Sequence, residues 1–242
     1  MQPPPQLVLL DVDFTLIRPV RVFDAAGYSE LGARFGIRLD PERYERARQD
    51  AFHVWQSQTL EHRSEQHRRF AVEIVRGMGA PRAVAEQIGI AAEQEWGDPR
   101  NFELFPDVLP LLAVLSASDC TVGLVSNTDR ELEPFAAQLG IGVDFALASH
   151  AHGRRKPCAS IFAAALALGG APAEAAVMVG DNLDDDIEGA LASGLRAVLV
   201  DRNGRHPAYA GERIRALGEL PGLLGLAEAA PAASDRGGRG GP

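Results

Sequence analysis

Lysine is almost missing from this chain. Lys and Arg together number 24, and Lys156 is the only lysine among them. A compact ammonium and a planar guanidinium are not interchangeable at a crowded site, so position 156 stands out at once. Positive charge is scarce overall. The 33 Asp and Glu residues outnumber the cations and leave a formal net charge of −9. That argues against general nucleic-acid or anionic-membrane binding, both of which need a basic face. It leaves room for a phosphorylated substrate, since a few local donors suffice for one phosphate. Cysteine is rare too: Cys120 and Cys158 make no disulfide framework, and Cys120, opening an apolar run, reads as a small buried hydrophobe. No apolar run reaches the roughly 18–20 residues of a membrane span. Met1 to Gln6 are proline-rich and uncharged, without the basic start and apolar stretch of a secretory signal. These absences together make the cytoplasm the expected location and a membrane or nucleic-acid partner unexpected.

What is present is a core. With 242 residues and 46% hydrophobic content, the chain can build one large domain or a domain with an insert. Apolar runs at Leu7–Leu10, Thr121–Val125, Phe145–Ala148, Ala176–Val179 and Ala197–Val200 predict strands. Runs without alternation suit strands covered on both faces, as in a parallel sheet. Helical patterns at 106–118, 129–139, 158–169 and 184–193 lie between them. Alternation of this kind predicts a doubly wound, Rossmann-like α/β core. From Arg18 to Asn101 the pattern changes to helices alone, near 27–36, 41–59, 63–78 and 82–96, with Asp40-Pro41 and Pro81 as starts and Gly36, Gly77 and Gly79 as stops. The expected organisation is therefore a core of residues 1–17 and 103–227, an inserted α-helical cap of residues 18–102, and a disordered tail of residues 228–242 rich in Ala, Gly and Arg.

Ligands of open α/β sheets bind beyond the carboxyl ends of the strands. Asp11, Asp13 and Thr15 follow the first predicted strand, Ser126 and Asn127 the second, and Lys156 the third. Asp181, Asp184, Asp185 and Asp186 follow the fourth. Clustered carboxylates repel and raise one another's pKa. A hard divalent cation relieves this, and Mg²⁺ suits an all-oxygen shell. The lysine, hydroxyl and amide left over could hold phosphoryl oxygens while a carboxylate attacks phosphorus.

These residues resemble the motifs of the haloacid dehalogenase-like hydrolases. Asp11-Val12-Asp13-Phe14-Thr15 matches Asp-x-Asp-x-Thr after a strand; Ser126-Asn127, Lys156-Pro157 and Gly180-Asp181 through Asp186 follow in the family's order. The helical insert resembles the family's cap. The resemblance implies a Mg²⁺-dependent phosphate-monoester hydrolase acting on a small phosphorylated metabolite. Asp11 would form an aspartyl-phosphate, and Asp13 would serve as acid and then base. Asp11, the main-chain carbonyl of Asp13, Asp181 and Asp186 would bind the metal, unless Asp185 takes the place of Asp186 as the second acid of the fourth motif. Thr15, Ser126, Asn127 and Lys156 are the expected phosphate-side residues.

Phe14 departs from the glycine that the family often has there. Asp13 disfavours a 2-haloacid dehalogenase, since halide departure needs no proton. A phosphomutase of the same family would share this core and differ in its cap, and a non-catalytic binding protein could stand on the same scaffold. A signalling receiver domain fits poorly, because receivers are shorter and lack the insert. In the cap, His62 and Arg63 fall near a helix break and are candidates for reading the leaving group, among the solvated run His53, Trp55, His67, Arg68 and Arg69. His150 and His152 read as ordinary loop residues.

Overall fold

The computed structural model describes residues 3–20, 23–56, 61–62 and 65–226. The tail from 228 and Arg63 lie outside the described residues. In chain order the strands are β1 (Leu7–Leu10), β2 (Ile17–Pro19), β3 (Phe102–Leu104), β4 (Thr121–Ser126), β5 (Phe145–Ala148), β6 (Ala176–Gly180), β7 (Arg196–Val200) and β8 (Arg213–Ile214). The helices are α1 (Ala25–Arg34), α2 (Tyr44–Gln56), α3 (Gln66–Gly77), α4 (Arg82–Gly97), α5 (Val108–Ser116), α6 (Leu132–Gln138), α7 (Ser149–His152), α8 (Ala159–Gly169), α9 (Gly189–Ala192) and α10 (Leu220–Leu224).

Six strands form one sheet in the order β5-β4-β1-β6-β7-β8, with every neighbouring pair parallel. Strand alternation explains the continuous apolar runs. Val8 and Leu10 of β1, with Val122, Leu124, Val177 and Val179, face a core closed by α5, α6 and α10. Leu7 and Leu9, with Val125, Met178, Ala197 and Leu199, face the opposite core under α8 and α9. Residues one apart point to opposite faces, so a sheet covered on both sides needs apolar residues at every position. The order places β1 between β4, which continues the chain to β5, and β6, which continues it to β7. That reversal is the crevice-forming point of a doubly wound sheet.

The insert packs as helices α1–α4 around their own apolar cluster, including Tyr28, Leu31, Tyr44, Ile74, Val75 and Ile88. Its helices approach closely: a Cβ on Gly89 of α4 would lie 2.4 Å from Val72 Cγ2 of α3. One feature differs from the sequence expectation. Residues 17–19 and 102–104 pair as a short antiparallel ribbon, β2 with β3, just where the chain leaves and re-enters the core. Arg18 and Pro19, read as the beginning of an all-helical segment, are strand residues. Three-residue strands lie below the length at which a period-two pattern is legible. The two-residue β8 went unread for the same reason.

Candidate active site

The four loops that follow β1, β4, β5 and β6 converge at one end of the sheet. Asp11 leaves β1 with its backbone N–H still donating to Val179 O of β6 at 2.9 Å. Lys156, in the loop after α7, reaches back into the sheet and is 1% exposed. Its Nζ donates to Asp11 Oδ1 at 2.7 Å and to Val125 O at 2.7 Å. It also lies 2.6 Å from Asp186 Oδ1. That contact is an ion pair without the alignment of a hydrogen bond, so Asp186 Oδ1 is a buried oxygen lacking a directed donor.

Asp186 is aimed by its own turn. Asn182 caps the π-helical turn Leu183–Glu188, its side-chain oxygen accepting from the N–H groups of Asp184 and Asp185 at 3.0 Å each. In return Asp186 Oδ2 accepts from Asn182 N–H at 3.0 Å. This reciprocal capping satisfies otherwise orphaned donors. Gly180 makes the approach possible, because a Cβ there would stand 2.2 Å from Asp186 Oδ2. Asp185 turns elsewhere, toward Asn127 Nδ2 at 3.2 Å and Arg155 at 3.4 Å.

One oxygen from each of Asp11, Asp181 and Asp186 lies within 4.8 Å of the others. Burial raises the pKa of all three carboxyls. For Asp181 the negative charges of Asp11 and Asp186 push it further. Asp186 is pushed up to about 7 by burial, even though the Lys156 charge opposes the shift. For Lys156, burial works against the charge, but Asp11 and Asp186 outweigh it and hold the ammonium protonated. One ammonium thus faces three carboxylates, and the cluster keeps an uncompensated excess of negative charge. A hard cation with oxygen ligands is the group that such a donor set fits.

The remaining predicted residues occupy distinct places. Thr15 is buried, and its hydroxyl donates to Asp181 Oδ1 at 3.3 Å. Asn127 is committed at both ends of its amide. Its Nδ2 donates to Lys156 O at 3.0 Å, and its Oδ1 accepts from Lys156 N–H at 2.7 Å. Ser126 is buried at the end of β4. Phe14 has φ 63°, in the left-handed region where glycine is at ease; the residue is 48% exposed, with its ring beside Trp96 of α4. His150 pairs with Glu131 at 3.4 Å and His152 with Ser160 Oγ at 2.9 Å, and neither belongs to the group formed by Asp11, Asp181 and Asp186.

His62 lands at the junction of cap and core. Its backbone N–H donates to Gly153 O at 3.0 Å. Its ring nitrogens meet Asp129 Oδ1 at 2.6 Å and Ser149 Oγ at 2.9 Å. The other oxygen of Asp129 lies 3.2 Å from His67 Nδ1 of α3. Two neighbours, Asp129 and Arg130, were missed by sequence reasoning. Arg130 Nη1 donates to both carboxylate oxygens of Asp13, at 2.8 and 3.0 Å. Their signal was present only as a charged pair directly after Ser126-Asn127-Thr128, inside the stretch expected to be helical, whereas the helix begins at Leu132.

Residues 5–194 match the haloacid dehalogenase-like hydrolase family. The protein belongs to that family. It is 28% identical over 222 residues to a phosphoserine phosphatase of Thermus thermophilus, covering 81% of this chain and 89% of the relative. It is 30% identical over 204 residues to a glyceraldehyde 3-phosphate phosphatase of Methanopyrus kandleri, covering 81% and 83%. Among solved structures, a hydrolase of the family from Bacillus subtilis, YfnB, bound to magnesium, superposes with a TM-score of 0.68 at 21% identity. The match covers 92% of this chain and all of that one. No helix among the described residues is long and apolar enough to cross a membrane.

Proposed function

We propose that this protein hydrolyses the phosphate monoester of a small metabolite through a phosphorylated Asp11. The observation that carries the reading is Asp11 itself. It is a buried carboxylate held by the only lysine, facing two further carboxylates on one side, with a separate acid, Asp13, two residues along. The two phosphatases above act, by name, on small phosphate esters. A hydrolase of such an ester suits the cytoplasm.

Asp11, Asp181, Asp186 and the main-chain carbonyl of Asp13 would hold Mg²⁺. When bound it neutralises the carboxylates and the incoming phosphate. Asp11 attacks phosphorus, and the bond to the ester oxygen breaks. A proton passed from Asp13 to that oxygen would let the alcohol leave neutral. Asp13, now a carboxylate, takes a proton from water as the water attacks the aspartyl-phosphate, freeing Asp11 and inorganic phosphate. Lys156 and Ser126 hold phosphoryl oxygens. Thr15 and Asn127 act one step back in this reading: Thr15 fixes Asp181 and Asn127 clamps the Lys156 backbone. Asp13 is what separates this chemistry from halide displacement, which needs no acid.

The test is release of inorganic phosphate from an aryl phosphate, with Mg²⁺ or chelator, for wild type and Asp11→Asn. Release that needs Mg²⁺ and vanishes in Asp11→Asn is the expected result. A folded wild type that releases none from a panel of aryl and small alkyl phosphates would defeat the reading.

A further inference from the structure

We infer that Arg130 is a positioning residue that sets the orientation of Asp13 and does so only while the cap is docked. The inference rests on the hydrolase reading above, because it needs Asp13 to move a proton.

Arg130 is an unusual arginine. It is 6% exposed and reaches groups on three parts of the molecule. Its guanidinium lies over Trp96 of the cap, Phe102 of β3 and Phe135 of α6, with 4.7, 4.6 and 4.4 Å from its central carbon to the ring centroids. Stacking on aromatic faces is a guanidinium property that an ammonium reproduces poorly. The Nε donates to Trp96 O at 2.9 Å, in the last turn of α4. The Nη1 then donates to both oxygens of Asp13, an ionic pairing that gives up one of these bonds when Asp13 carries the proton. The backbone is fixed as well, since Arg130 N–H donates to the buried Thr128 Oγ1 at 3.1 Å. One side chain therefore connects the cap's final turn to the acid of the core.

With Trp96 in place the guanidinium is stacked on three rings and its Nε is satisfied, which fixes the plane in which Nη1 meets Asp13. If the cap moves away, Arg130 loses one of its three rings and the Trp96 carbonyl together. The neighbour Asp129 clamps the same cap through His62 and His67. Adjacent residues thus hold the cap and read its position. The proton transfer that Arg130 governs is the one already written: from the Asp13 carboxyl to the ester oxygen as the P–O bond breaks, and from water to the Asp13 carboxylate as the phosphoenzyme is hydrolysed.

The experiment measures kcat/KM over a series of esters, from 4-nitrophenyl phosphate through phenyl phosphate to an alkyl phosphate, for wild type, Arg130→Met and Arg130→Lys. This parameter reports the first phosphoryl transfer. A nitrophenolate departs without help, whereas an alkoxide needs the proton. Misplacing Asp13 in Arg130→Met should cost roughly 10²-fold on the alkyl ester, the low end for a general acid, and far less on the nitrophenyl ester. Arg130→Lys keeps the charge without the fork and should fall between; it carries the test alone if Arg130→Met does not fold. An equal loss on all esters, or none, in an active and folded variant would overturn the inference and leave the hydrolase reading standing. A wild type inactive on every ester would overturn both.

Discussion

Replacing Lys156 by methionine tests how the carboxylate cluster is held together. The ammonium is 1% exposed and meets Asp11, Asp186 and the Val125 carbonyl, all within 2.7 Å. Methionine fills similar volume, so little cavity cost arises; the change is electrical. Breaking a buried ion pair by removing one partner costs about 3–5 kcal/mol. The Val125 carbonyl is also left without its donor, which by itself costs about 1–3 kcal/mol and falls inside that range. Proton uptake caps the damage, because Asp186 already sits near 7 beside the ammonium. In a chain of this size each kcal/mol lowers Tm by about 2–4 °C. The expected fall is therefore about 6–20 °C by circular dichroism in chelator at pH 7.5. The pH dependence has a definite sign. A carboxyl whose folded pKa is raised adds its stability below the unfolded value of 3.8 and loses it as pH rises through the folded value. Methionine raises that folded value further, so the gap to wild type should widen from pH 5 to pH 8. A fall of less than about 3 °C, or a gap that narrows with pH, would refute the view that the lysine neutralises this cluster.

Magnesium should raise the Tm of wild type by about 5–10 °C at a hundred times its Kd, equivalent to about 2.7 kcal/mol; calorimetry of Asp181→Asn should show that rise much reduced. Asp129→Asn should destabilise by about 1.5–3 kcal/mol at neutral pH through its two histidine contacts. Burial raises the Asp129 pKa, but His67 and His62 outweigh it and hold the carboxyl below 3.8. The difference should therefore persist above about pH 4 and close as pH falls through the lowered value, read by melting curves from pH 3 to 7. Phe14→Val places a β-branched residue at φ 63° and should cost about 1–2 kcal/mol in urea unfolding, whereas Phe14→Gly removes the backbone strain and should cost less.

The sheet was legible because a strand buried on both faces is written as an unbroken apolar run, and Leu7–Leu10 and Ala176–Val179 are such runs. The clustered acids were legible because they lie just after those runs. The ribbon β2–β3 was not, since three residues such as Ile17-Arg18-Pro19 carry no period. Nor was Arg130. Its partners, Asp13, Trp96 and Phe135, are 117, 34 and 5 residues away by their numbers, and only the closed fold brings them around it. Thr15 and Asn127 were read from the sequence as phosphate-side groups. The fold commits Thr15 to Asp181 and Asn127 to the Lys156 backbone, contacts between loops that no local spacing encodes.

A chain whose only lysine is sealed inside its site presents no side-chain amine to the outside. Acylating reagents that modify ordinary proteins at dozens of surface lysines have one internal target here, apart from the terminal amine. Labelling at Lys156 can proceed only when the loop beside Asn127 opens. The rate at which this single amine is capped, followed by mass spectrometry, becomes a clock for transient opening of the crevice. The surface needs no blocking and the protein needs no engineered probe.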